Sequence, residues 1–168
     1  NEVDFHARLI RINANRMKTK KVHLVPMSTQ VLATLKNLSQ IDTGSDYVFP
    51  TPRNRNASIT TNALLVAIRS LGIDKFTFTT YGFRSIASTR LNELGYRADV
   101  IELQLAHTQT NTVRVIYNRN EHLEERRTMM QDWSDYLTTL KGIASTPSNS
   151  NSVNESMEQY RKSKRKTF

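Results

Sequence analysis

RLIRINANRMKTKKVHLVPMSTQVLATLKNL, residues 8–38, holds the passage on which the fold turns. Arg8-Leu9-Ile10-Arg11-Ile12-Asn13 alternates polar and apolar side chains, the period of a half-buried strand. Lys21-Val22-His23-Leu24-Val25-Pro26 is a second run of the same kind, and Arg16-Met17-Lys18-Thr19-Lys20-Lys21 is a basic turn between them. The pair predicts a small antiparallel sheet with a positively charged tip. At Ser28 the period changes. Ser28 can cap a helix that carries Val31, Leu32, Leu35 and Leu38 on one face.

Downstream of this change the pattern is helical. Residues 42–56 form a loop with Gly44, Pro50 and Pro52. Ser58 or Thr60 can start a second helix, with Leu64, Leu65, Ile68 and Leu71 inward and Gly72 ending it. Thr80 precedes a third helix, in which Phe83, Ala87, Arg90/Leu91 and Leu94 repeat at helical spacing and Gly95 takes the C′ position. Asp99-Val100-Ile101-Glu102 resembles a capping box opening a short fourth helix. Asn111–Asn118 reads as a fifth, and residues 121–140 as a last helix with Leu123, Met130, Trp133, Leu137 and Leu140 as its apolar stripe. The expected fold class is therefore α+β, mainly helical, with a small antiparallel sheet near the N-terminus.

The composition changes at Gly142. Residues 145–156 hold five Ser, three Asn and one Pro, a mixture that cannot form a core, and Arg161–Lys166 is a basic cluster. The reading is one folded unit over 1–142 and a disordered tail over 143–168. The length of 168 residues suits one domain, and 24 Lys+Arg against 15 Asp+Glu gives +9, which favours a polyanionic partner. Residues 141–168 carry six Lys+Arg against two Asp+Glu, so +5 belongs to 1–140 and any DNA face depends on where those charges sit. The absence of Cys excludes disulfides, thiolate metal sites and Cys nucleophiles. No apolar run has membrane-spanning length. The chain opens on Asn1 rather than Met, which reads as a fragment.

Three pieces bear on chemistry: Thr80-Tyr81-Gly82-Phe83-Arg84, Leu105-Ala106-His107 and Val115-Ile116-Tyr117-Asn118-Arg119. Each alone is bland. An Arg on a helix is usually a solvated charge, a lone His a cap, and a Tyr at an apolar helical position part of a core. Their order and spacing are not bland: 23 residues separate Arg84 from His107, and 10 separate His107 from Tyr117. Here the sequence resembles the tyrosine recombinases, and most closely the integrases of the P4 phage type. The Gly-Phe-Arg box at 82–84, the Gln-Leu-Ala-His turn at 104–107, the Tyr-Asn-Arg box at 117–119 and the Leu-Glu-Glu-Arg-Arg helix over 123–137 carry that resemblance, which covers roughly residues 2–140. Lys18, in a basic turn followed by Val25-Pro26, resembles the family's hairpin lysine; Lys20 and Lys21 compete for the position.

The resemblance implies the DNA breaking-rejoining fold, of which 1–142 would be the C-terminal portion of the catalytic domain. It implies a site-specific DNA recombinase that cleaves and rejoins strands through a 3′-phosphotyrosine, integrating or excising a mobile element. Tyr117 would be the nucleophile. Arg84 would bind the phosphorane oxygens through a two-donor fork, and His107 would donate a hydrogen bond to a non-bridging oxygen. Lys18 would protonate the leaving 5′-oxygen. No cofactor and no metal is implied. The expected partners are double-stranded DNA with att-type sites, further copies of the protein in a synaptic tetramer, and an accessory excisionase or host DNA-bending protein, with no membrane; the implied location is the bacterial cytoplasm, with the nucleoid.

Two departures qualify the match. Tyr81 stands where the family usually has His, so the group that takes the Tyr117 proton is open, and Tyr81 is either a catalytic phenol or a packing residue. The family's first catalytic Arg would fall before residue 1, so these 168 residues alone are expected to cleave DNA poorly or not at all. Two competing functions remain at this point: a non-catalytic DNA-binding module, which explains the charge but not the ordered boxes, and a type IB topoisomerase, which shares the chemistry but not the wording of residues 104–137.

Overall fold

The computed structural model describes residues 2–106, 122–145, 159 and 162. His107, Tyr117, the expected helix over 111–118 and nearly all of the expected tail lie outside the described residues. Three antiparallel strands open the chain in the order β1 (Val3–Asp4), β2 (Leu9–Ile12), β3 (His23–Pro26). Ile12 pairs with His23 and Leu9 with Pro26, so the two alternating runs do form the expected hairpin. β1 is an addition: Val3 pairs with Ile10 and Asp4 with Leu9, a strand too short to show a period. Its four-residue turn closes on Arg8 in the left-handed region (φ 53°) and on a bond from the Ala7 N–H to Asp4 Oδ1 at 2.7 Å.

Five helices follow among the described residues: α1 (Thr29–Ser39), α2 (Thr61–Ser70), α3 (Gly82–Glu93), α4 (Ala98–Gln104) and α5 (Leu123–Ser145). Their starts and stops follow side-chain chemistry. Ser28 Oγ accepts from the Val31 N–H and Thr60 Oγ1 from the Ala63 N–H, which satisfies donors that the helix leaves unpaired. α3 ends in a full Schellman motif. Gly95, at φ 92°, donates to Asn92 O, and Tyr96 donates to Leu91 O while both of their side chains enter the core. α4 begins differently from its reading. Arg97 is the N-cap, no side chain caps the helix, and Asp99 binds Arg97 at 2.6 Å instead of closing a box with Glu102.

The core is Leu91, Leu94, Tyr96, Val100, Ile101 and Met129, with Leu105 and Trp133 against it. It lies where α3, α4 and α5 meet. α5 folds back over its own domain. Gln131 Oε1 accepts from the Thr29 N–H, Gln131 Nε2 donates to Gln30, Arg127 donates to Ala7 O, and the Tyr96 hydroxyl donates to Asp132 at 2.6 Å. Its buried face includes Arg126, Met129, Asp132 and Tyr136; of the expected stripe, Trp133 packs against the core, whereas Leu137 is exposed and Met130 half-buried. The inward register is one residue away from the predicted one because Tyr136 and Asp132 bury through hydrogen bonding and stacking, which an apolar count does not weigh. α5 also runs through Gly142 to Ser145, past the expected end at Leu140. α2 departs as well, since only Ile68 is buried and Leu64 and Leu71 are exposed.

Candidate catalytic site

Arg84 sits in the first turn of α3, and the chain before it is held in place by α2. Arg69 Nη1 donates to the carbonyls of Ile73, Asp74 and Phe78 at 2.8–2.9 Å, which fixes the segment leading to Gly82. The Phe78 ring then lies over Gly82 so closely that a Cβ there would meet Phe78 Cε2 at 2.7 Å. Phe83 meets the same ring edge-on, centroids 4.7 Å apart. Gly82 is thus the residue that lets the chain pass under Phe78 and begin the helix two residues before Arg84.

The guanidinium of Arg84 crosses to α4, where Nη1 donates to Leu105 O. That carbonyl belongs to the C-terminal end of α4, the negative end of its dipole, and Leu105 is two residues before His107 in sequence. Arg84 itself is exposed, and among the described residues no acidic side chain pairs with it. A cation in the first turn of a helix is electrostatically unfavourable until an anion joins it. The arrangement therefore favours an anionic ligand at the Arg84 end of α3.

The turn at 104–106 is shaped for its place. Ala106 has φ 55°, a left-handed conformation that an L residue adopts at a cost of about 1–2 kcal/mol. His23, the first residue of β3, donates from Nε2 to Gln104 O at 3.2 Å. Burial, then the charge of Arg126, and more weakly that of Arg84 hold the imidazole below its ordinary range. Arg126, on α5, donates from Nε to Gln104 Oε1 at 2.8 Å and from Nη2 to Leu24 O. It is 3% exposed, and burial pulls it down to about 10.

The predicted site residues are distributed as follows. Arg84 and the turn before His107 are joined by a hydrogen bond. Lys18 is exposed at the second position of the Met17–Lys20 turn, whose Lys20 N–H donates to Met17 O at 3.0 Å, and Lys20 has φ 53°. No hydrogen bond joins Lys18 to Arg84 among the described residues. Tyr81 is 66% exposed. His107 and Tyr117 lie outside the described residues. Sequence reading missed His23, Gln104 and Arg126. The signal for Arg126 was present: 126, 129, 132/133 and 136 share one helical face, so an Arg stands on the buried stripe of α5.

A family model described as "Phage integrase family" matches residues 1–124. The chain is 43% identical over 136 residues to the integrase of Shigella phage Sf6, covering 80% of this chain and 35% of that protein. It is equally similar to the prophage integrase IntS of Escherichia coli K12, at 43% over 136 residues with the same coverage of each chain. The integrase of Enterobacteria phage P4 is 38% identical over 151 residues, 81% of this chain and 34% of that protein. The chain thus spans about a third of the length of the curated relatives it matches. No solved structure matches it.

Proposed function

The chain belongs to the phage integrase family, and from that premise we propose that the whole protein is a site-specific DNA recombinase that cuts and rejoins strands through a 3′-phosphotyrosine at Tyr117. The observation that carries this reading is the anchoring of an otherwise exposed Arg84 on Leu105 O, which ties the first turn of α3 to the turn that leads into His107. In the proposed step the Tyr117 phenolate attacks the scissile phosphorus, the new O–P bond forms, and the bond to the 5′-oxygen breaks. Lys18 gives its proton to that oxygen, which would otherwise leave as an alkoxide. Arg84 uses donors not engaged by Leu105 O on the non-bridging oxygens, and His107 adds one hydrogen bond. The exposed Tyr81 phenol, three residues before Arg84, is a further donor for phosphate. The 5′-hydroxyl of a strand then attacks the phosphotyrosine and restores the diester, so no external energy is needed.

The substrate is double-stranded DNA carrying att-type sites, the working assembly a tetramer of this protein on two duplexes, and an accessory excisionase or host DNA-bending protein sets direction; the reaction takes place at the bacterial nucleoid. The domain reading assigns 1–142 to the C-terminal portion of the catalytic domain, and α5 carries the helical part on to Ser145. A non-catalytic DNA-binding module would not need the ordered Arg, His and Tyr boxes, and a type IB topoisomerase would relax but not exchange strands. The test is a nicked suicide duplex incubated with the whole protein. A covalent adduct is expected, and Tyr117→Phe should abolish it with DNA binding nearly unchanged. An adduct in the Tyr117→Phe protein would show that the nucleophile lies elsewhere. Joining of two different att-type duplexes separates a recombinase from a topoisomerase.

A further inference from the structure

Arg126 is a buried cation with no acidic partner among the described residues. Burying a guanidinium is costly, and an apolar side chain of similar volume would avoid that cost. Its donors go to two places only a few residues from the proposed chemistry. Nε binds the Gln104 side chain, at the end of α4, and Nη2 binds Leu24 O, in the strand that follows the Lys18 turn. His23, next to Leu24, binds the Gln104 carbonyl, and Arg84 binds the Leu105 carbonyl. Four elements, β3, α3, α4 and α5, therefore meet on two consecutive residues, Gln104 and Leu105.

We propose that Arg126 is a positioning residue for DNA cleavage: it fixes the end of α4 against β3, and through Leu105 O it sets where the Arg84 guanidinium points. This rests on the recombinase reading above. Arg126 acts through the protein rather than on the phosphate: it is 3% exposed, and its Nε and Nη2 are engaged by Gln104 and Leu24. Without it, the Gln104 side chain loses its donor, β3 and α4 keep only the His23 bond between them in this region, and the Arg84 anchor moves with the turn. A displacement of about 1 Å at a catalytic group can cost on the order of 10²-fold in rate.

The test uses Arg126→Gln in two settings. In the 168-residue chain, the side-chain Nε–H signal of Arg84 in a ¹⁵N spectrum reads the geometry directly, and it should shift. In the whole protein, adduct formation on the suicide duplex at saturating DNA should slow about 10²-fold while the half-saturating DNA concentration stays within about twofold. Arg126→Lys, which keeps the charge but reaches one acceptor, should recover part of the rate; if Arg126→Gln does not fold, Arg126→Lys is read in its place, with a smaller Arg84 shift and about tenfold slowing expected. A folded variant that cleaves at the wild-type rate, one whose loss is all in DNA affinity, or an unmoved Arg84 signal would overturn the proposal. Failure of the wild-type whole protein to form any adduct would instead reject the recombinase reading, and the Arg84 signal tells the two failures apart.

Discussion

Arg84, Ala106 and His23 each make a measurable claim about the geometry at 104–106. Arg84 is exposed, lies in the first turn of α3 and is held at one nitrogen by Leu105 O. Arg84→Ala in the whole protein should slow adduct formation by at least about 10²–10³-fold, the usual effect of losing one preorganised donor, with a larger loss for a charged fork. The rate at saturating DNA checks it. Ala106 occupies a left-handed position that glycine takes without strain. Ala106→Gly should stabilise the chain by about 0.5–1 kcal/mol, less than the full conformational cost because glycine also gains freedom on unfolding; urea unfolding would show it. His23 gives a pH dependence. Its folded state binds a proton less readily than the unfolded chain, because of burial, Arg126 and Arg84. The unfolded chain therefore takes up more protons once the pH falls below the ordinary imidazole value of 6.5. Its contribution to stability is complete above that value, declines as the pH falls through the lower folded value, and is constant below it. The urea midpoint should fall between pH 7.5 and 5.5, and His23→Gln should make that fall smaller.

At the scale of elements, the period of the sequence foretold the β2–β3 hairpin and the start of α1, because alternation and a Ser cap are local signals. The same local logic placed Gly72 and Gly95 at the ends of α2 and α3, where φ is 80° and 92°. The inward face of α5 was not legible. Its count of apolar residues favours Met130 and Leu137, whereas packing selects Met129 and Tyr136 together with Arg126 and Asp132, whose partners come from Gln104 and Tyr96, distant in sequence. Met129→Ala should therefore cost about 2–5 kcal/mol in urea unfolding, the range for emptying a closed core site, and Met130→Ala markedly less. The opposite ranking would restore the predicted register. Gly82 belongs to this scale too, because it joins the Arg69-clamped segment to α3. Gly82→Ala should destabilise by about 1–3 kcal/mol through displacement of the Phe78 ring.

Across the whole molecule, charge and order in the sequence determined the kind of chemistry to expect. The +9 balance, the missing cysteines and the Arg84, His107, Tyr117 order depend only on residue types and their separations, and these survive whatever the chain does in space. The α+β class was also legible, since strand and helical periods are short-range. Tertiary structure decided what holds the proposed site. That Arg84 rests on Leu105 O, that His23 and Arg126 converge on Gln104, and that α5 closes over its own domain are contacts between residues 21 to 120 positions apart. No periodicity encodes such pairings, because a side chain's partner across a core is selected by the packing of whole elements and by the cost of leaving a buried donor unpaired.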